Sequence, residues 1–233
     1  MRPRHLLCVS LALLAASPAA GTSAKPNLVF ILTDNQGAWT LGCYGNPDIR
    51  TPHIDRLAKE GIRFTRALSS NAVCSPTRAT FLTGLIPSQH GVHCFLDPKY
   101  MMGPEAYYTL AEFTTLAEVL QGAGYTCGLS GKWHLGDNLR TAKGFSFWIT
   151  KPDGSTREFY DQDVIEDGKL RKEEGYTTEL WTRKGIEFIE QNNAFRTISN
   201  SCEDAALTSG IPDIPRRHAE QTVDRRATVK PRT

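Results

Sequence analysis

A short, almost continuous apolar run near the N-terminus constrains the fold more than any other feature of the sequence. Residues 27–33 read Asn-Leu-Val-Phe-Ile-Leu-Thr, a length and composition that suit a strand buried on both faces of a parallel sheet. The run ends at Asp34 and Asn35. Ligands of open α/β sheets bind beyond the carboxyl ends of the strands. These two polar side chains are therefore candidates for a functional site.

The next segments alternate between helix and strand patterns. Thr51 in the N-cap position, Pro52 at the first helical position and Gly61 as a terminator predict a helix between them. Residues 62–65 alternate between apolar and polar side chains, which is typical of a strand. The order strand, helix, strand indicates an α/β fold.

A second unit of the same kind lies in the middle of the chain. A capping-box pattern at residues 115–118 predicts the start of a helix, and residues 125–129 predict a strand. This strand ends at a second polar cluster, which contains Lys132 and His134 between glycines. The sequence thus places functional groups at two predicted strand ends.

From residue 145 onwards, regular patterns occur only in the first half of the remaining chain. Residues 145–149 predict a strand, an Asp-Gly pair at residues 167–168 favours a hairpin turn, and residues 178–190 predict a helix with a buried apolar face. Residues 194–233 contain a single aromatic residue, several prolines, clustered arginines and no sustained period. Such a composition predicts a mostly disordered tail.

A cysteine precedes the best-marked helix start in the chain. Cys74 is followed by Pro76, which favours the first helical turn, and Gly84 is placed to end the helix. The N-terminal end of a helix attracts anions, and Arg78 lies one turn further on the same face as Cys74. An anion held here would lie beside the thiol, so the position of Cys74 suits a reactive residue.

Composition bounds the domain count and excludes one class of partner. At 233 residues, with 40% hydrophobic and 22% charged residues, the chain is long enough for one main globular domain. The net charge is only +2, and no run of basic residues interleaved with aromatic residues occurs. A nucleic-acid surface is therefore not expected.

The N-terminus has the pattern of an export signal. Arg2 and Arg4 precede an apolar run at residues 6–16, and small residues follow up to Ala24. The run is short for a permanent membrane span, so we predict cleavage of residues 1–24, with a retained N-terminal anchor as the alternative. Cleavage leaves five cysteines, an odd number for an oxidising compartment. At least one cysteine is then unpaired or modified.

Three motifs together resemble those of a known family. Residues 74–84 are similar to the sulfatase signature, in which the cysteine of a Cys-x-Pro-x-Arg sequence is oxidised to formylglycine during export. Residues 131–136 resemble the second signature of sulfatases, and residues 26–34 resemble their opening metal-binding strand. The resemblance covers residues 26–193. It implies an alkaline-phosphatase-like α/β fold, with a mostly parallel sheet flanked by helices and incomplete on its C-terminal side.

The resemblance implies a hydrolase of sulfuric esters. Hydrolysis of a negatively charged sulfate ester requires cations and a nucleophile held in line with the sulfur. The hydrated formylglycine made from Cys74 would attack the sulfur with one hydroxyl, and its second hydroxyl would drive the elimination of sulfate. By the same resemblance, Arg78 holds the modified Cys74 and Lys132 contacts the sulfate. His134 would hydrogen-bond the hydrate and assist proton transfer.

The resemblance also implies a metal ion and a maturation partner. Asp34 and Asn35 offer hard oxygen ligands that suit Ca²⁺ or Mg²⁺, and the modified Cys74 is the third implied metal-binding residue. Sulfatases usually have a second Asp at the position of Asn35, which keeps an oxygen ligand but removes a charge. The implied partners are a sulfated small molecule or sulfated glycan as substrate and the formylglycine-generating enzyme. The implied location is periplasmic or secreted.

Two other interpretations remain open on the sequence. Some phosphodiester and phosphonate hydrolases of the alkaline-phosphatase-like group share the cysteine signature. The chain could also be a catalytically inactive fragment or a binding module, because sulfatases are longer and their later portion supplies further metal ligands. In each interpretation we predict that residues 25–193 are the N-terminal part of a sulfatase-like catalytic domain. Residues 194–233 are then a disordered tail or the aberrant tail of a truncated or frame-shifted product.

Overall fold

A six-stranded sheet lies at the centre of the computed structural model, which describes residues 25–192 and 197–199. The strands are β1 (Leu28–Val29), β2 (Thr126–Gly131), β3 (Phe147–Thr150), β4 (Asp163–Glu166), β5 (Lys169–Lys172) and β6 (Thr197–Ser199). Their order in the sheet is β1-β6-β2-β3-β4-β5. The first four pair in parallel, and β4 and β5 add an antiparallel hairpin at one edge. The predicted mostly parallel α/β sheet is confirmed.

Five α-helices and three short 3₁₀ helices connect the strands within the described residues. The α-helices are α1 (Pro52–Glu60), α2 (Cys74–Thr83), α3 (Pro87–His90), α4 (Leu116–Gly122) and α5 (Thr177–Gln191). The 3₁₀ helices are Ala38–Thr40, Gly42–Tyr44 and Pro98–Tyr100. None of the helices between residues 25 and 192 combines the length and the apolar character needed to cross a bilayer.

Helices cover both faces of β2, the most buried strand. Side chains of successive strand residues point to opposite faces. Cys127 packs against Ala117 of α4 on one face. On the other face, the Ser130 hydroxyl donates to the Trp181 carbonyl of α5 at 2.9 Å. A Cβ at Gly128 would lie 2.6 Å from the Phe188 ring, so glycine lets α5 approach the strand closely.

An aromatic cluster packs β3 against the segment that follows β2. The indoles of Trp133 and Trp148 meet edge to face with ring centroids 5.0 Å apart, and Phe145 contacts both. Both indole N–H groups are satisfied, since Trp133 Nε1 donates to the Gly136 carbonyl and Trp148 Nε1 donates to the Asn138 carbonyl, each at 2.9 Å. This cluster fixes the segment that follows β2, where the polar cluster of residues 130–136 lies.

The helix predictions are confirmed with close boundaries. In the Thr115–Glu118 capping box, the Thr115 N–H donates to Glu118 Oε2 at 2.8 Å, and α4 follows. The helix that carries Cys74 ends at Gly84, which adopts a left-handed φ of 70°. Cys74 itself is the first helical residue rather than the residue before the helix.

Two strand predictions fail in part. Of residues 27–33 only β1 is a strand, and its Leu28 and Val29 are 41% and 47% exposed rather than buried on both faces. It pairs with β6 alone and forms an edge of the described sheet, which explains the exposure. Residues 62–65 form no strand. Ile62 is 83% exposed. Alternating apolar and polar side chains do not produce a strand where no neighbouring strand is present to pair with.

The structure also places three residues of the predicted tail in the sheet. Thr197–Ser199, assigned by composition to the tail that begins at residue 194, form β6 and pair with both β1 and β2. The Thr-Ile-Ser sequence of β6 contains two β-branched residues, which favour a strand. The signal peptide predicted at residues 1–24 and the tail at residues 200–233 lie outside the described residues, as do residues 193–196.

Candidate active site

Three segments of the chain converge on the carboxylate of Asp34. Lys132, which follows β2, places Nζ 2.8 Å from Asp34 Oδ2. Arg78, on α2, places a guanidinium nitrogen 3.2 Å from the same oxygen. Arg78 also donates to the Lys132 carbonyl at 2.6 Å, which ties α2 to the end of β2. The two polar strand ends predicted from the sequence therefore meet, and the cysteine-bearing helix joins them.

Two cationic side chains of this cluster contact the same carboxylate. Arg78 and Lys132 are each only 3% exposed, and both lie within ion-pair distance of Asp34. Burial alone would raise the pKa of Asp34, but the hydrogen bond and charge of Lys132, together with Arg78, lower it overall. Asp34 is therefore ionised. Buried lysine and arginine side chains that meet at one place suit the binding of an anion.

His134 lies close to this cluster in a fully buried position. Burial, and next the charge of Lys132, lower the pKa of His134 to about 4, so its imidazole is neutral at neutral pH. Its Nε2 lies 3.2 Å from the Leu96 carbonyl, which can only accept, so Nε2 carries the proton. Nδ1 then has a lone pair, and this buried atom has no hydrogen-bond partner among the described residues. His134 is thus arranged to accept a proton through Nδ1.

The segment that precedes the third 3₁₀ helix links His134 to the start of α2. The Leu96 N–H donates to Ser75 Oγ at 3.3 Å, while the Leu96 carbonyl faces His134. The ring of Phe95 meets the His134 ring edge to face, with centroids 4.4 Å apart. A single dipeptide therefore contacts both the residue next to Cys74 and the imidazole.

Cys74 is the first residue of α2 and is partly exposed. It forms no disulfide, and neither do Cys43, Cys94 and Cys127. Arg78 lies one helical turn further along, as the sequence predicts, and the positive end of α2 faces the thiol. The thiol is accessible and lies on the helix that supplies one cation to the cluster.

Asn35 differs from its neighbour Asp34 in exposure. It is exposed and adopts a left-handed φ of 55°, a conformation that Asn tolerates better than most residues. Within residues 25–192, no group of three or more His, Cys, Asp or Glu side chains forms a metal cluster. Ca²⁺ takes six to eight oxygen ligands. Asp34 and Asn35 can therefore hold one side of a cation, but the described residues do not complete its coordination shell.

Two structural features of the site have no signal in the sequence. Ser75 and Leu96 contact each other across 21 residues, and only the tertiary fold brings them together. Gly154 lies against the imidazole of His134, in a loop that carries no recognisable motif. A hydroxyl beside Cys74 was visible in the sequence, but its backbone partner was not.

Comparisons with known proteins identify the family. The family model described as Sulfatase matches residues 26–199. An N-acetylglucosamine-6-O-sulfatase of Bacteroides thetaiotaomicron is 36% identical over 179 residues, which is 76% of this chain and 30% of that protein. The steryl-sulfatase of Mus musculus is 41% identical over 160 residues, 62% of this chain and 24% of that protein. The chain thus spans less than a third of the length of these relatives.

Comparison with solved structures leads to the same family. A protein crystallised with its substrate D-glucosamine-2-N,6-O-disulfate superposes with a TM-score of 0.63 at 33% identity, covering 76% of this chain and 34% of the other. A phosphonate monoester hydrolase of Agrobacterium radiobacter shares the fold with a TM-score of 0.52 at 20% identity, covering 76% of this chain and 40% of the other. With a family model that matches most of its length, the chain belongs to the sulfatase family of hydrolases.

Proposed function

We propose that this chain carries the sulfate-binding half of a sulfatase active site and hydrolyses sulfate monoesters. The observation that supports this most strongly is the contact of Lys132 and Arg78 with the single carboxylate of Asp34. Both cations are buried, and they lie close to a neutral His134 and to the helix that begins at the partly exposed Cys74. A sulfate ester is an anion, and cations at its oxygens would stabilise the charge that develops during hydrolysis.

Each of the four candidate catalytic residues has a role that its geometry supports. Lys132 donates to a sulfate oxygen, and Arg78 holds the oxygen of the modified residue at position 74 while it braces Lys132 through the peptide carbonyl. His134 accepts a proton through Nδ1, whose lone pair has no partner among the described residues. Cys74 is the site of the nucleophile.

We propose that Cys74 is converted to formylglycine by the formylglycine-generating enzyme during export to the periplasm or the secretory route. The family generally uses this residue together with a divalent cation. The aldehyde hydrate supplies a hydroxyl nucleophile that a thiol lacks. Cys74 is partly exposed and forms no disulfide, which supports access of such an enzyme to its thiol.

A divalent cation, Ca²⁺ or Mg²⁺, would be held by Asp34, Asn35 and the modified Cys74. When bound, it would supply positive charge to the sulfate and to the attacking oxygen. Asp34 already carries two cationic neighbours, so binding of a metal ion at this carboxylate would compete with Lys132 and Arg78 for its oxygens. A bound cation would therefore share the carboxylate of Asp34 with these two side chains.

The names of two similar proteins support a choice of substrate class. The relative that is 36% identical is named an N-acetylglucosamine-6-O-sulfatase, and the structure at 33% identity contains a sulfated glucosamine. We therefore propose a sulfated sugar as the first substrate to test, with aryl sulfates as general probes. The likeness to the phosphonate hydrolase is below 25% identity and concerns the fold alone, so phosphonates come second.

The test begins with the peptide of residues 67–78, which trypsin releases by cleavage after Arg66 and Arg78. After co-expression of the full chain with a formylglycine-generating enzyme, mass spectrometry should show that Cys74 has lost its sulfur and gained an aldehyde oxygen. The modified chain should then hydrolyse nitrophenyl sulfate and glucosamine-6-sulfate, and Cys74→Ala should not. Faster turnover of a nitrophenyl phosphonate than of the sulfate would favour the second class. A modified chain that turns over none of these esters would overturn the proposal.

A further inference from the structure

The loop that follows β3 lies directly against His134. If Gly154 carried a side chain, its Cβ would be 1.9 Å from His134 Nε2 and 2.0 Å from Cδ2. Contacts below 3.0 Å essentially never occur for a real Cβ, so the imidazole and a side chain at position 154 cannot occupy their present places together. The backbone of Gly154 is outside the left-handed region. Position 154 therefore needs glycine because there is no room for a Cβ, and not because of an unusual φ.

The other sides of the imidazole are closed as well. The Leu96 carbonyl lies 3.2 Å from Nε2, the Phe95 ring packs edge-on against the imidazole, and His134 has no exposed surface. His134 itself has a left-handed φ of 58°, which fixes the direction in which its side chain leaves the backbone. A ring displaced from Gly154 would therefore lose its contact with Leu96 or Phe95.

A buried lysine shapes the loop that carries Gly154. Lys151 is 2% exposed, and its Nζ donates to the Ser155 carbonyl at 2.6 Å and to the Thr156 hydroxyl. The carbonyl of Lys151 accepts from Asn138 Nδ2 at 2.8 Å, which ties the loop to the segment after β2. The lysine thus closes residues 151–156 into a tight turn with Gly154 at its inner side.

We propose that Gly154 is a positioning residue for His134, and that Lys151 holds the loop in the shape that this requires. The loop, Leu96 and Phe95 form three walls that fix the orientation of the imidazole, with Nε2 towards Leu96 and Nδ1 left for a reacting group. The structural part of this inference stands on the contacts alone. Its catalytic consequence rests on the proposed function.

The structural part is tested on the full chain by NMR of the histidine imidazoles with ¹⁵N labelling, with the His134 signals assigned by their loss in His134→Gln. Gly154→Ala should shift the His134 ring signals and leave those of His90 unchanged. Gly122→Ala is the matched control, because a Cβ at Gly122 meets nothing within 4 Å. Gly128→Ala is the control for a steric clash that does not involve His134, since its Cβ would meet Phe188. Unchanged His134 signals in a folded Gly154→Ala, or equal shifts in Gly128→Ala, would overturn the inference.

A second variant covers the case in which Gly154→Ala does not fold. Lys151→Met keeps an unbranched side chain that is one atom shorter and removes the ammonium that closes the loop. It should broaden or shift the same His134 signals, because the loop would no longer be held against the ring. A folded Lys151→Met with His134 signals identical to those of the wild type would contradict the proposed role of Lys151.

The catalytic part is tested by a double-mutant cycle. A misplaced catalytic group lowers turnover by up to about 100-fold, so Gly154→Ala should lower kcat by 10- to about 100-fold with KM within a few-fold. In a His134→Gln background, the same substitution should have no further effect on kcat. An equal loss in both backgrounds would show that Gly154 acts elsewhere. A wild type without turnover would instead count against the proposed function, while the NMR result would still decide the position of His134.

Discussion

Among the individual residues, Asp34 has the largest influence on the site. Two cations that are almost fully buried contact its carboxylate. Removal of one partner from a buried ion pair is more destabilising than the pair is stabilising, because an uncompensated charge is left inside the protein. The carboxylate is thus needed for the stability of the fold as well as for its proposed metal site.

Asp34→Asn should lower the stability of the fold and leave its structure almost unchanged. The amide cannot balance the charges of Lys132 and Arg78, so we expect the free energy of unfolding to fall by about 3 kcal/mol. Urea denaturation followed by circular dichroism measures this. Glu112→Gln, at an exposed position outside the site, is the matched control and should be within about 0.5 kcal/mol of the wild type. Equal unfolding midpoints for the two variants would contradict the role of Asp34.

The buried imidazole of His134 should make the stability dependent on pH. Its pKa is about 4 in the folded protein, whereas an imidazole in the unfolded chain has the ordinary pKa of 6.5. Because the unfolded state binds the proton more readily, the stabilising contribution is complete above pH 6.5 and is lost as the pH falls towards 4. The loss amounts to at most about 3 kcal/mol.

Urea unfolding of the wild type and of His134→Gln at several pH values between about 4.5 and 7 checks this expectation. The wild type should lose stability more steeply than the variant as the pH falls. Burial also lowers the pKa of His90, but this histidine is present in both proteins, so its effect cancels in the difference. Parallel pH profiles would show that His134 keeps an ordinary pKa in the folded state.

Among the helices and strands, the helices were the more predictable from sequence. Their ends are marked by local signals, such as Thr115 before α4 and Gly84 after α2, and the structure confirms both. Strands depend on partners that the local sequence does not reveal. Residues 62–65 alternate but have no neighbouring strand, whereas Thr197–Ser199 lie in a segment of disorder-like composition and yet pair with two strands.

The same distinction applies to the candidate site. The rule that ligands bind at the carboxyl ends of parallel strands located Asp34 and Lys132 from the sequence, and the structure brings them to 2.8 Å. The walls around His134 were not predictable, because Leu96 and Gly154 come from loops that follow different elements. Contacts between loops depend on how the whole sheet assembles, and no periodic pattern encodes them.

The capping box before α4 offers a test of how much local signals contribute. Thr115→Ala removes the side-chain acceptor of the Glu118 N–H, so we expect a loss of about 1 kcal/mol in the free energy of unfolding. Thr115→Ser keeps the hydroxyl and should restore most of that loss, which urea denaturation can measure. If the alanine and serine variants were equally unstable, lost packing at this buried position, rather than the cap, would explain the effect.

For the molecule as a whole, the exposed apolar surface around α1 is the most unusual feature. Leu57 of α1 is 61% exposed, and in the segment that follows Phe64 is 68% and Leu68 is 92% exposed. Large side chains exposed in one consecutive stretch favour association with other apolar surfaces. The helix α5, by contrast, buries Leu180, Trp181 and Phe188. The described part of the chain thus combines a well-packed core with one stretch of exposed apolar side chains.

This exposed stretch predicts that the full chain binds the apolar dye ANS and self-associates at micromolar concentration. The double substitution of Phe64→Lys and Leu68→Lys should reduce both dye fluorescence and the associated fraction in analytical ultracentrifugation. It should leave the thermal midpoint nearly unchanged, because both side chains are exposed and contribute little to the core. Gln121→Lys with Thr141→Lys adds the same charge at exposed polar positions and should alter neither dye binding nor association. If both double variants reduced association equally, net charge rather than the apolar surface would be its cause, since added charge alone also keeps proteins apart.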